Sequence, residues 1–562
     1  MRIFAFNFII EYFEQMTKTD YIFSVSWEVC NKVGGIYTVL STQANEFQKH
    51  NLDKIIYIGP DLYKDEISKS NSLFIEDKKL LPKWQKVCKS NGIKVRLGRW
   101  NIPGNPIVAL VNFQHLFAEK DKIYGKMWED FNVDSLHAYG DYDEACMFSY
   151  CSGLFVEAIV KNCLPQKTNV VFQAHEWMSG FGLLYVKKNL PAVGTVFTTH
   201  ATSIGRSITS NNKPLYDYFK GYFGDQMARE LNMEAKHSIE KKAAQNADCM
   251  TTVSEATDKE CVQFLERKSD VILMNGFDGS FVPKGSSYTS VRKKARKKII
   301  EVANALIGTQ LGDDVVIMST SGRNDFRCKG FDVLLSAVKR VQENNRLAKE
   351  VLLMIAVPCW KKGPREDLIK KINDKDITNL LPEPYITHEL YNFDYDNIVN
   401  TIKYNQIKTD SEQKLHFMFI PSYLDGNDGI FDLQYYDWLV ANDFCIYPSY
   451  YEPWGYTCHE SIAFGIPCLT TNLTGFGQWV NRLVGHKSSL KDGVEVIDRN
   501  DSNYESAVDS IAKSIEDFVA LTPQEIKAIR RKTSNMAKKA MWDDFINNYL
   551  QAFSFALENK NK

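Results

Sequence analysis

The sequence has almost no net charge: 68 Lys and Arg stand against 69 Asp and Glu, leaving −1 over 562 residues. No global field is therefore available to attract nucleic acid or an acidic bilayer, and neither is an expected partner. Paired cysteines are also missing. The twelve cysteines contain no C-x-x-C spacing and no His/Cys cluster at metal-ligand distance, which argues against structural zinc and disulfides and for reduced thiols in the cytoplasm. No apolar run approaches the roughly 18 residues needed to span a bilayer. The apolar start Ile3 to Ile10 follows Arg2 but is interrupted by Glu11 and Glu14 and has no small-residue cleavage site. It reads as a leader strand or an over-extended start, with Met16 an alternative initiator, rather than a secretion signal. Internal repeats and low-complexity tracts are absent. What remains is a globular balance of 44% hydrophobic and 24% charged residues, in a chain longer than one core usually serves. Two domains, with an active site in the cleft between them, are the natural expectation.

Short apolar runs alternate with helical patterns, the sign of parallel βαβ construction. Candidate strands in the first half are 21–25, 55–59, 107–111, 170–174, 194–198, 250–253 and 271–274. A second set lies at 315–319, 351–357, 416–420, 444–447 and 467–471. Between the sets runs a basic helical stretch, 290–306, containing Arg292-Lys293-Lys294-Ala295-Arg296-Lys297-Lys298. With no aromatics interleaved, it reads as a solvated face rather than a nucleic-acid surface. The expected fold is α/β, with two Rossmann-like doubly wound domains facing across a cleft and helices at the C-terminus. The expected boundaries are 1–280, 281–540 and a final helix, 541–562, packing back toward the first domain. Ligands in such sheets bind at the carboxyl ends of the strands.

Three segments carry chemistry. Gly34-Gly35, between the first strand and its helix, would let backbone amides approach an anion, although a plain tight turn reads the same way. Arg323 and Lys329 share the loop after the first strand of the second set and supply the charge to neutralise a diphosphate. The sharpest is Tyr450-Tyr451-Glu452-Pro453-Trp454-Gly455-Tyr456-Thr457-Cys458-His459-Glu460. Here Pro453 fixes the entry, Gly455, Tyr456 and Thr457 offer amides to a phosphate, and Glu452 and Glu460 stand eight residues apart. Asp141-Tyr142-Asp143 and Asp394-Tyr395-Asp396 look like a metal-binding D-x-D, but neither ends an apolar strand. Both read as turn or capping aspartates, and no metal and no cofactor is expected. Trp177 and Trp454 read as packing residues.

Taken together, E-x7-E after an arginine-lysine loop, and a Lys-Val-Gly-Gly turn, resemble retaining glycosyltransferases of the GT-B fold, specifically the eukaryotic-type glycogen synthase family. Glu28 to Leu40, His175-Glu176-Trp177, Phe197 to Thr202, Thr251 to Ser254, Tyr447 to Thr457 and Thr470 to Gly477 resemble that family closely. The resemblance runs from about residue 21 to 480. It implies a cytoplasmic enzyme that transfers glucose, with retention, from UDP-glucose to the non-reducing 4-OH of glycogen or a malto-oligosaccharide. Carried over by position, it places Arg323 and Lys329 on the donor diphosphate, Gly34 and Gly35 near the leaving phosphate, and Glu452 against the transferring glucose. Glu460 falls on the ribose, Tyr435 under the uracil, and His200 beside the donor glucose. Glu176 becomes an acceptor-side carboxylate, Arg206 a cleft arginine and Asn275 part of the hinge-side donor loop.

Two departures qualify this. The stretch from Pro358 to Ile386 is short where the family carries the insertion that builds its tetramer, so a homo-oligomer, if formed, needs another interface. The arginine-rich helix that binds glucose-6-phosphate in regulated members is answered only by Arg530-Arg531-Lys532-Thr533-Ser534-Asn535. Rival readings are an ADP-glucose-dependent synthase and a catalytically silent glucan-binding scaffold. Tyr435 and the Tyr450 to Thr457 string argue against the first, and the full set of cleft residues against the second. A phosphorylase is disfavoured because nothing in this sequence marks a lysine for pyridoxal phosphate.

Overall fold

The computed structural model describes residues 18–51, 54–62, 73–378, 380–409 and 412–560. The apolar start and Met16 lie outside them. The chain divides into two compact units. The first comprises described residues up to Ile208, Tyr218–Asp278 and those from Met541 on; the second comprises Thr209–Asp217 and Gly279–Ala540.

In the first unit the strands are β1 (Tyr21–Val25), β2 (Ile55–Pro60), β3 (Phe74–Glu76), β4 (Lys94–Trp100), β5 (Ile107–Asn112), β6 (Val170–His175), β7 (Gly194–Thr199), β8 (Cys249–Thr252) and β9 (Val271–Ile272). They form one sheet in the order β3-β4-β5-β2-β1-β6-β7-β8-β9 among the described residues. From β5 to β9 all neighbours are parallel, whereas β3, β4 and β5 pair antiparallel at one edge. Strands β2, β6 and β7 are buried at every position, as expected of Val/Ile/Phe runs covered on both faces. The helix Trp542–Asn559 packs on this sheet. Its Tyr549 and Phe553 meet Phe47, and Trp542 Nε1 donates to Thr42 Oγ1 at 2.9 Å.

In the second unit β10 (Val316–Ser321), β11 (Val351–Ala356), β12 (Lys361–Pro364), β13 (His388–Leu390), β14 (Leu415–Ile420), β15 (Phe444–Ile446), β16 (Cys468–Thr471) and β17 (Val494–Ile497) follow. All but β12 and β13 form a parallel sheet in the order β14-β11-β10-β15-β16-β17, and β12 and β13 pair as a separate antiparallel ribbon. The segment Thr209–Asp217, which the sequence put with the first domain, is held here. Leu215 N donates to Tyr450 Oη at 3.0 Å, and the Tyr216 and Asp217 amides donate to Asp501 at 2.8 and 2.6 Å.

The basic helix, Ser286–Ile307, corrects the expectation of a purely solvated face. Lys293, Lys294 and Lys297 are exposed. Arg292 instead donates to the Val440 and Asn442 carbonyls at 2.6 and 2.7 Å, and Arg292 and Arg296 both pair with Asp443, at the entry to β15. The two arginines are structural clamps because their spacing of four puts them on one helix face. Asp396 does cap a helix, accepting the Ile398 and Val399 amides at 2.9 and 3.0 Å. Asp141 and Asp143 pair with Lys236 and Lys120.

Candidate active site

In each sheet the strand order reverses direction of growth at one place: β1 against β6 in the first unit, β10 against β15 in the second. Such switch points open a crevice at the carboxyl ends of the strands. Most of the predicted site residues stand on segments at or beside these strands, whereas Asn275 follows the edge strand β9.

In the first unit, the chain leaving β1 reaches Glu28 and then Gly34-Gly35, where the helix Gly35–Asn51 begins. Glu28 Oε2 accepts the Gly34 and Tyr37 amides, each at 2.8 Å. The carboxylate thus satisfies donors left open at a helix start and meets the positive end of its dipole. One of the two glycine amides expected near the leaving phosphate, that of Gly34, is accordingly engaged by the chain itself. Gly35 is different: its φ is ordinary and nothing stands within 4 Å of where a Cβ would be, so nothing in the chain demands glycine there.

His175 ends β6 and His200 follows β7. Their rings lie side by side, His175 Nδ1 to His200 Nε2 at 3.0 Å, and His175 Nε2 meets Ser24 Oγ at 3.1 Å. Burial pushes both imidazoles down. For His200 the adjacent Arg206 guanidinium adds to this, taking it to about 3, so both rings are neutral at physiological pH. Glu176 takes a left-handed φ of 66°, costly for a non-glycine residue, and its Oε1 accepts the His200 and Ala201 amides at 3.0 and 3.1 Å. Burial raises its carboxyl to about 7, against the opposing pull of Arg206 and the two amides. Behind it Glu240, fully buried, accepts the Ser203 amide at 2.9 Å and is raised to about 8 by burial and by the neighbouring Glu176. Asn275 is buried, with its Oδ1 unpaired among the described residues. Trp177 stacks on Tyr142 at 6.1 Å, a packing role.

In the second unit, the loop after β10 carries both predicted cations. Gly330 closes it at φ 74°, and a Cβ there would sit 2.0 Å from the Pro448 carbonyl, which ties this loop against the one after β15. Arg499, buried, reinforces the junction from Pro448 to Asp332. Lys329 pairs directly with Glu452. Arg323 is exposed; its carbonyl accepts the Asp325 amide at 2.8 Å, but its guanidinium makes no hydrogen bond or ion pair among the described residues. Arg327, between them, is turned over the Tyr450 ring at 4.5 Å.

The helix Tyr456–Ala463 starts after Gly455, whose φ of 115° suits glycine, and no side chain caps it. Trp454 is buried against Phe476. One turn in, Glu460 accepts from two phenols, Tyr435 at 3.2 Å and Tyr436 at 3.1 Å, while Tyr435 Oη also meets Ser321 at 2.9 Å. The residues expected on uracil and on ribose are thus bonded to each other, which fixes the Tyr435 ring in place. Sequence reasoning missed Tyr436, Glu28, His175 and Arg499 as parts of this machinery. Glu28 and His175 stood inside quoted motifs, but their partners lie up to 151 residues away.

The sequence model described as Glycogen synthase matches residues 24–360 and 368–561. Among curated proteins, the chain is 25% identical to a glycogen [starch] synthase of Neurospora crassa, over 96% of this chain and 84% of that one. It is 24% identical to the liver glycogen [starch] synthase of Homo sapiens, over 93% and 81%. Among solved structures, the catalytic domain of starch synthase IV from Arabidopsis thaliana, bound to ADP and acarbose, aligns with a TM-score of 0.56 at 14% identity, over 96% of this chain and 100% of that one. Sucrose-phosphate synthase from Thermosynechococcus elongatus aligns with a TM-score of 0.52 at 13% identity, over 95% and 98%. These likenesses show the GT-B glycosyltransferase fold.

Proposed function

The chain belongs to the glycogen synthase family, and from that premise we propose that it transfers glucose, with retention, from UDP-glucose to the 4-OH at the non-reducing end of an α-1,4-glucan. The observation that carries this reading is Arg323. It is an exposed guanidinium without a partner among the described residues, on the same loop as Lys329 and next in the sheet to a helix start that no described side chain caps. A nucleoside diphosphate leaves with growing negative charge, and fixed cations and helix amides stabilise that charge.

Glucosyl transfer then proceeds on one face. The bond from anomeric carbon to phosphate oxygen breaks, an oxocarbenium-like sugar forms, and the acceptor hydroxyl attacks from the side the phosphate left, giving its proton to that phosphate. Glu452, held by Lys329, acts as a positioning and electrostatic group rather than a covalent nucleophile. By the family resemblance, His200 and Glu176 are assigned to the sugar, Arg206 to their support and Gly35 to the phosphate. Asn275 joins the donor loop.

Uridine as the base is supported by the Tyr450 to Thr457 string, which resembles the eukaryotic type. The starch synthase IV structure holds ADP, and this keeps ADP-glucose as the second reading. Nucleotide release measured with glycogen and either donor separates them: UDP formation from UDP-glucose is expected, and turnover with ADP-glucose alone overturns the choice of base. Work in the cytoplasm is part of the same reading; among the described residues no helix is long and apolar enough to cross a membrane.

A further inference from the structure

Ser24, His175 and His200 form a chain of three hydrogen-bonding groups across the ends of β1, β6 and β7. Each imidazole is neutral and so carries one N–H and one bare nitrogen. The contact between His175 Nδ1 and His200 Nε2 needs a hydrogen from one side only, so the chain can run in two directions. In one, Ser24 Oγ donates to His175 Nε2, His175 Nδ1 donates to His200 Nε2, and His200 is left with its hydrogen on Nδ1. In the other, His200 Nε2 donates, His175 Nε2 donates to Ser24 Oγ, and His200 Nδ1 is a bare acceptor.

Ser24 decides between them. Its side chain is buried, and among the described residues its hydroxyl has no partner other than His175 Nε2. In the second direction the Ser24 hydrogen would have nowhere to go, and a buried donor left unpaired is costly. In the first, the hydroxyl gives its hydrogen to His175 and every buried hydrogen in the chain is used.

We propose that Ser24 and His175 are positioning residues that fix His200 in the Nδ1–H form, so that it presents a hydrogen-bond donor to an oxygen of the bound sugar. This rests on the reading of His200 as the sugar-side group. Burial of the ring, with Arg206 beside it, keeps it from taking a second proton, so His200 is available as a neutral donor. His175 reaches the sugar only through His200.

Neutron diffraction from a deuterium-exchanged crystal of the full chain reads the hydrogen positions without substrate. Deuterium on His200 Nδ1 and on His175 Nδ1 is expected; deuterium on His200 Nε2 overturns the proposal whatever the activity. Kinetics supply the second arm. Ser24→Ala removes the hydrogen that sets the direction and is expected to lower kcat roughly three- to tenfold with KM for glycogen little changed. Ser24→Thr restores the hydroxyl and with it kcat to within about twofold of wild type. A Ser24→Ala enzyme with wild-type kcat, or a Ser24→Thr enzyme no better than Ser24→Ala, overturns it. Full turnover by His200→Ala, with deuterium on His200 Nδ1, removes the sugar-side premise while leaving the direction of the relay standing.

Discussion

Two helix starts, one in each unit, each follow a glycine and end up in different electrostatic states. At Gly34-Gly35 the chain supplies its own anion, Glu28, which takes the Gly34 and Tyr37 amides. At Gly455 no side chain caps the helix, and the loop beside it carries Arg323 without a protein partner. Both helix starts have the dipole that attracts a phosphate. A glycine turn before a helix is therefore not enough to locate an anion. What distinguishes the two places is whether a carboxylate of the chain has answered the positive end, and by that measure the main diphosphate charge belongs in the second unit.

The strongest way to break this comparison is to remove the two cations of the second-unit loop, Arg323, whose guanidinium is unanswered among the described residues, and Lys329, which is answered by Glu452. Arg323→Ala and Lys329→Ala are each expected to reduce turnover by about 10²- to 10³-fold, as loss of a charge-stabilising donor does. Glycogen co-sedimentation should be nearly unchanged, because the charge matters mainly as the diphosphate leaves. Lys329→Ala also frees Glu452, so its loss should be the larger of the two. Rates close to wild type in both variants would take the loop out of the mechanism and return the question to Gly35.

The units also differ in how their buried acids are held, and pH sharpens that difference. Glu240 in the first unit is raised to about 8 and Glu176 to about 7, chiefly by burial. A carboxyl raised on folding stabilises the fold fully below its unfolded value near 4.5, and this contribution is lost as pH rises through the folded value. In the second unit burial would raise Asp443, but Arg292 and Arg296 outweigh it and hold the carboxyl low. Its contribution is present above its ordinary range and lost on acidification. Hydrogen exchange of peptides from residues 234–246 should show protection falling from pH 5 to 8, with a limiting slope of about 1.4 kcal/mol per pH unit per group. Glu240→Gln, of the same shape and uncharged, should flatten that fall and leave peptides from residues 316–321 unchanged. Glu176 keeps its own share of the slope, and a slope undiminished by the substitution assigns it elsewhere.

A smaller effect tests the capped helix itself. Glu28→Ala removes the acceptor of two amides and should cost about 1 kcal/mol in denaturant unfolding, the usual worth of an N-terminal cap. Turnover should stay within roughly threefold, since the comparison assigns Glu28 a structural role. A far greater loss of kcat at unchanged stability would make the carboxylate a working part of the site.

Much of the fold is legible because its strands announce themselves. Val351 to Ala356 is buried throughout and reads as a continuous apolar run, and Val170 to His175, equally buried, opens on Val-Val-Phe. Strand β4, Lys94 to Trp100, does not: it alternates with Lys94, Arg96 and Arg99 near the sheet edge, and its partner β3 has only three residues. Strand β17 has four, and Glu495 interrupts its pattern. At the site, residue types and spacing mark Arg323, Lys329, Glu452 and Glu460, because those motifs are local. Partnerships across space leave no such mark. That Glu460 bridges Tyr435 and Tyr436, or that Arg292 faces Asp443, depends on chain segments 24 to 151 residues apart meeting in the fold.

The smallest expected effect concerns a third group of cations, and it returns to the contrast between answered and unanswered charge. Arg530 and Arg531 line a cavity of about 440 Å³ with Tyr288, Phe464 and Ser534. A phosphorylated sugar would activate the enzyme only by holding cations differently in two states, and bidentate contacts from arginine are the effective ones. Here the basic cluster is thinned and partly engaged. Lys532 stands where the family's pattern has arginine, and it donates to the Lys491 carbonyl at 2.9 Å. Arg530 Nη2 donates to the Tyr288 hydroxyl at 2.9 Å, and its Nη1 reaches the Asn442 carbonyl at 3.5 Å. Arg323, by contrast, has no such partner. A phosphate arriving at Arg530 must displace existing bonds, and Lys532 offers a point charge in place of a fork. Millimolar glucose-6-phosphate is therefore expected to change the rate with UDP-glucose by less than about twofold, well under 1 kcal/mol of coupling. A several-fold activation would show that the engaged arginine is released on binding, and that a charge answered by a hydroxyl and a carbonyl remains as available to an anion as one left exposed.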